Sequence, residues 1–153
     1  LVGFVPYLAL KALGRNKDQA FEYARVLTSN EDYNALYHFF DSLFENPQEV
    51  TLKEAIDQAI PHVPKHYKDV LETIKDTPDI KQFIKDNELN TACSITHAVP
   101  IIVHILYFAD AFENAVHLNT KLGGASSDRG LMLGAVLAAY YDVPARFTNK
   151  TNL

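Results

Sequence analysis

One cysteine, one methionine and no tryptophan stand among these 153 residues. A lone Cys93 excludes an internal disulfide and suits a reducing, cytoplasmic setting. No apolar run is long enough to cross a bilayer, so no membrane span is expected. Clustered basic charge is also missing. The 14 Lys and Arg are scattered among 19 Asp and Glu, for a net charge of −5. That excludes a non-specific nucleic-acid partner, which needs a concentrated basic footprint. It also excludes an anionic membrane surface as partner. Residues 1–13 are apolar, but they lack a basic leader and a cleavage site, and Pro6 interrupts them; they do not read as a signal peptide. Alternating apolar and polar runs of strand length are absent as well.

What is present is helical periodicity almost throughout. Apolar residues make up 48% of the chain, enough for one domain of this length to bury a core. A short apolar helix is expected over 4–13, stopped near Gly14. A second over 18–27 carries Phe21, Ala24 and Leu27 inward. Ser29, with Asp32 three residues on, reads as the cap of a third helix. That helix places Tyr33, Leu36, Tyr37, Phe40 and Phe44 on one face and ends at Asn46-Pro47. Thr51 and Glu54 form a capping box opening a helix to about Ile60. The stretches 66–75 and 79–86 read as two polar, exposed helices. An apolar helix follows over 94–108 with Pro100 inside it. Asp110 and Glu113 suggest the cap of a helix to Asn119. The tail after Pro144 is polar and expected to fray.

The most informative segment runs from 119 to 141. Gly123 and Gly124 allow a positive φ or a close approach to a ligand. Ser126, Ser127 and Asp128 offer oxygens and a helix N-cap. The free N–H groups of that first turn favour an anion such as a phosphate. Arg129 could pair a phosphate through its planar fork, or bind a neighbouring carboxylate and hold the loop shut. Gly130, Gly134 and Ala138 recur every fourth residue, so a second helix is expected to cross that face closely.

Other groups carry blander readings beside their chemical ones. His97 and His104 lie seven apart on one helix with no carboxylate between. They read as partly buried histidines with satisfied hydrogen bonds rather than metal ligands. His62 and His66 flank Pro64 and read as a surface turn. Cys93 reads as a buried structural thiol. The aromatic series from Tyr33 to Phe44 reads as core packing rather than a base platform.

The segment from Ala92 to Pro144 resembles the C-terminal signature of the ADP-ribosylglycohydrolase family. The matching order is Phe112-Glu113-Asn114-Ala115-Val116, then Gly123-Gly124, Gly134-Ala135, Ala138-Ala139-Tyr140-Tyr141 and Val143-Pro144. The helix beginning at Ser94 is similar to the family's preceding helix, and Leu27-Thr28-Ser29 stands where many members have Leu-Thr-His. The resemblance implies an all-α, compact orthogonal helical bundle. It implies an activity of hydrolysing or binding ADP-ribosyl groups, with ADP-ribose or an ADP-ribosylated substrate as partner. It implies ligand contacts from Gly123, Gly124, Ser126, Ser127 and Arg129, and a metal role for Asp128.

The departures are specific. The family binds divalent cations with two aspartates and a hydroxyl residue after the double glycine; here those positions hold Ala125, Ser127 and Asp128. No Asp-Asp pair occurs, although the family draws further ligands from such a motif. Mg²⁺ needs hard anionic oxygens, so its binding is expected to be weak or absent in this chain. The chain is read as one all-helical domain over 1–153, the C-terminal portion of a longer protein. Two functions follow: an ADP-ribosyl hydrolase, or a catalytically inactive binding or structural module in the manner of certain crystallins. An unrelated bundle is the third reading.

Overall fold

The computed structural model describes residues 3–26, 28 and 31–149. Among them 72% are helical and none forms a strand, as the periodicity and the resemblance both imply. The order is α1 (Phe4–Ala12), α2 (Lys17–Val26), α3 (Asp32–Ser42), α4 (Leu52–Ala59), α5 (Lys65–Leu71), α6 (Ile80–Asp86), α7 (Ile95–Tyr107), α8 (Phe112–Leu122), α9 (Ser126–Tyr140) and α10 (Ala145–Thr148). Short 3₁₀ turns, Ile60–His62 and Glu72–Asp76, continue α4 and α5. The expected cap at Ser29 and the inward Leu27 lie outside the described residues.

Helix α7 organises the rest. Eleven of its thirteen residues are buried. A helix that is apolar all round can sit only inside a core, so α4, α5, α6, α8 and α9 all pack against it. Pro100 is accommodated within this helix. The two helices expected to be polar and exposed do contribute to the core, through Tyr67, Leu71, Ile74, Ile80 and Phe83. Their charged residues cover the other face, which is why their average composition hides the stripe.

A second centre lies among α1, α2 and α3. Phe4 meets Tyr37 and Phe40 edge-on, each at 5.2 Å between ring centroids. Tyr7 stacks on Phe21 at 5.4 Å. Under these rings Asp41 is 4% exposed. It accepts hydrogen bonds from Tyr7 Oη and Lys11 Nζ, both at 2.6 Å, while Lys17 Nζ lies 3.3 Å from its other oxygen. One carboxylate thus ties three helices together. The aromatic series is core packing, as its spacing suggests.

Several local expectations change. The Thr51–Glu54 capping box forms: Glu54 N–H donates to Thr51 Oγ1 at 3.2 Å and Thr51 N–H to Glu54 Oε2 at 2.9 Å. Asp110, however, caps nothing; Ala111 supplies the extended N-cap backbone of α8, and Asp110 accepts from Asn114 instead. Glu113 pairs with Arg146. Helix α3 ends at Ser42, before the Asn46-Pro47 stop. Cys93 is exposed rather than buried.

The small-residue stripe of α9 is not a close crossing. The helix turns Arg129, Met132, Leu133, Val136 and Leu137 inward. A Cβ at Gly134 would meet nothing within 4 Å, and Ala138 is exposed. The neighbouring helices seat themselves on the larger apolar residues and leave Gly134 and Ala138 uncovered, while a Cβ at Gly130 would lie 3.6 Å from Asn119 Nδ2. Gly134→Ala is therefore expected to stabilise the protein by about 0.5–1 kcal/mol through helix propensity alone, measured by urea denaturation.

For Asp41, burial pushes the carboxyl up, but hydrogen bonds from Lys11 and Tyr7 outweigh it and hold the group below its usual range. Its contribution is present above the unfolded value and is lost as pH falls through the lower folded value. Asp41→Asn should cost roughly 2 kcal/mol, less than a fully buried pair because both lysines reach solvent. It should also flatten the acid limb of stability against pH.

Candidate functional site

Helix α8 delivers the chain to the double-glycine loop, and α9 begins immediately after it. Gly123 and Gly124 both take a positive φ, at 67° and 62°. Gly124 has a second reason to be glycine. An added Cβ would lie 2.2 Å from the Thr91 carbonyl oxygen and 2.5 Å from Thr91 Oγ1. Thr91 belongs to the strap of residues 87–94 between α6 and α7, so the loop is pressed against that strap.

The contact is fixed by Arg129, which has no exposed surface. Its Nε–H donates to Asn119 Oδ1 at 2.9 Å, Nη1 to the Thr91 carbonyl at 3.1 Å and Nη2 to the Gly123 carbonyl at 2.7 Å. Asn119, 3% exposed, donates in turn to the Ser126 carbonyl at 2.8 Å. The Ala125 N–H donates to Thr91 O at 2.8 Å. One guanidinium thus joins α8, the strap, the loop and α9. Burial lowers its pKa from the ordinary value, and the charge of Asp128 opposes that.

Of the two roles open to Arg129, this geometry is the one that holds the loop, through carbonyls and an amide rather than a carboxylate. Its fork points inward. Ser126, Ser127 and Asp128 form the first turn of α9, but the N-cap is Ala125, with no side-chain cap. The Ser126 N–H instead turns back to Gly124 O at 2.9 Å. Among the described residues, the amides of Gly124, Ser127 and Asp128 and the hydroxyls of Ser126 and Ser127 have no hydrogen-bond partner. Gly124 and Ser127 are exposed; Gly123, Ser126 and Asp128 are half-buried. The positive end of the α9 dipole therefore faces outward over a rigid loop.

A divalent cation does not fit this donor set. Asp128 is the sole carboxylate of the loop, and the described residues contain no group of three His, Cys, Asp or Glu that could hold a metal. A buried guanidinium directly beneath the loop repels a second cation. Among the described residues no histidine hydrogen-bonds to the loop. His104 donates through Nε2–H to the Thr77 carbonyl, 2.8 Å away, and His66 lies 3.2 Å from Asp32. The Nδ1 atoms of His97 and His104 have no partner among the described residues, so those side chains are only partly satisfied.

Sequence reasoning missed Asn119 and Thr91. Asn119 left a trace: it shares the inward face of α8 with Phe112 and Ala115, and an amide on an apolar face calls for a buried partner. Thr91 acts through its backbone carbonyl and leaves none. Gly124→Ala should cost roughly 2–4 kcal/mol, from positive φ and collision with the Thr91 backbone. Gly123→Ala, whose Cβ meets nothing but whose backbone lies at φ 67° and ψ −155°, a region open essentially to glycine alone, should cost roughly 1–3 kcal/mol from backbone strain without the collision. Thermal denaturation of both variants measures the difference.

No curated protein and no solved structure shows significant similarity to the chain. The ADP-ribosylglycohydrolase family model matches residues 5–152. The match spans nearly the whole sequence, double-glycine loop included, and the chain belongs to the ADP-ribosylglycohydrolase family.

Proposed function

We propose that this chain binds ADP-ribosyl groups over the 123–128 loop without assembling a metal centre from its own residues. At the level of the family its function is ADP-ribosylglycohydrolase-like. The observation that carries the finer reading is the Arg129 clamp. A fully buried arginine and a buried asparagine hold a loop whose outward amides are free. Two phosphates of an ADP-ribosyl group match such donors, because oriented N–H groups at a helix start bind anions. In this reading Gly124, Ser127 and Asp128 donate amides, and Ser126 and Ser127 add hydroxyls. Gly123 and Arg129 shape the loop. Asp128 is left as a base or ribose acceptor rather than a metal ligand. The single exposed thiol supports a cytoplasmic setting.

Hydrolysis requires a positioned nucleophile and anionic groups facing a cationic transition state. With Ala125 and Ser127 where the family has a carboxylate each, only Asp128 remains locally. That favours binding over turnover. The same replacements favour a second reading, a structural module that binds nothing.

The test is an NMR titration with ADP-ribose in the presence of a chelator. Amide shifts confined to residues 123–130, and lost in Arg129→Ala as the loop loses its shape, are the expected result. Absence of shifts at roughly millimolar ligand, a concentration that reveals even weak sites, would leave the structural module standing.

A further inference from the structure

His104 is a buried titratable group that the ligand loop does not use. It lies on α7, 1% exposed, between the rings of Phe83 at 4.6 Å and Phe108 at 5.0 Å. Its Nε2 is 2.8 Å from the Thr77 carbonyl oxygen. A carbonyl can only accept, so the ring donates through Nε2–H and the neutral tautomer leaves a lone pair at Nδ1. Among the described residues Nδ1 has no partner.

The contacts of this ring hold one segment in place. Thr77 closes the 3₁₀ turn Glu72–Asp76, and Phe83 is the buried aromatic of α6. Both are fastened to α7 through the imidazole. Beyond α6 the chain runs directly into the strap whose Thr91 carbonyl receives Ala125 N–H and Arg129 Nη1. We propose that His104 is an acid-sensitive latch that holds α6, and through it the Thr91 strap, against the body of the protein.

A second proton would create a charged N–H at Nδ1 with no acceptor, wedged between two phenyl rings. Such a group costs its full desolvation. The relief is for the ring to leave its place, which breaks the Thr77 bond and the tilted ring contact with Phe83. Charged groups on the flanking elements are few. From the head of α6, Asp79 favours the cation, though its side chain is already engaged by the Gln82 N–H at 2.8 Å. From α4, Lys53 lies over the far ring, Phe108, at 5.9 Å, and opposes it. No charged group of α5, α8 or α9 is a resolved electrostatic partner of the ring among the described residues. Burial is the largest influence and lowers the imidazole pKa; the Thr77 bond and Asp79 act the other way. The folded value thus lies below the unfolded one. The latch is fully closed above the ordinary imidazole range and is lost as pH falls through the folded value.

The experiment is hydrogen–deuterium exchange on the intact chain, corrected for intrinsic rates, from about pH 7.5 to about pH 5.5, either side of the ordinary imidazole value. Protection of the amides of residues 77–94 should fall several-fold on acidification. His104→Gln keeps an N–H donor for Thr77 but cannot titrate, and should remove the pH dependence. Unchanged protection in the wild type, or the same fall in His104→Gln, overturns the proposal. If that variant does not fold, ¹⁵N NMR of the wild-type imidazole decides. A ring that stays in the neutral Nε2–H form until 77–94 protection is lost supports the latch, and a ring that titrates at the ordinary value overturns it. The effect on ligand rests on the proposed function; the exchange measurement needs no ligand, so the two readings fail separately.

Discussion

Helix α7 has no face to give to water, and that constraint shapes the whole chain. The consecutive residues Pro100, Ile101, Ile102 and Val103 point in different directions around the helix, yet all are buried. Each direction must be covered by another element, and α4, α5, α6, α8 and α9 supply the cover. Burying one such side chain stabilises by roughly 1.5–3 kcal/mol. Moving any of the covering helices exposes several at once. The segments that enter and leave α7 are consequently fixed in space. The strap that enters it is the one against which the double-glycine loop is pressed.

The loop shows how a buried charge can be held without a counter-charge. Isolated ions inside a protein are strongly disfavoured unless hydrogen-bonded. Arg129 meets that demand with two carbonyls and an amide, dipoles that satisfy its donors but leave its positive charge in place. The N-terminus of α9 adds its own partial positive charge. Asp128, half-buried at the surface, is the local opposing charge. This balance differs from that of a site built around carboxylates and cations.

The all-helical class was legible because each apolar stripe keeps the 3.6 period, and because Thr51 and Glu54 carry a cap signature that needs no tertiary context. Double glycine followed by a polar turn marked the loop for the same local reason. What could not be read depends on distant partners. Cys93 stands before the most apolar helix yet faces solvent, since the strap carrying it lies on the outside. The Gly134 stripe has the spacing of a close helix crossing, but the neighbours of α9 dock on Met132, Leu133 and Val136. Asp110 has the right type for a cap, but the extended backbone falls one residue later, at Ala111. Arg129 itself was visible as a chemical group. The direction of its fork was not, because Asn119 lies 10 residues and Thr91 38 residues away in sequence.

The central claim is that the 123–128 loop is a ligand site whose positive character comes from Arg129 and the α9 terminus rather than from a divalent cation. Calorimetric titration of ADP-ribose tests this most directly, carried out once with excess chelator and once with excess Mg²⁺. Equal affinity in the two, weakened by added salt as expected for charge-based recognition, is the predicted result. Binding that appears only with Mg²⁺ would contradict it, because the cation would then be supplying what is here assigned to the buried guanidinium.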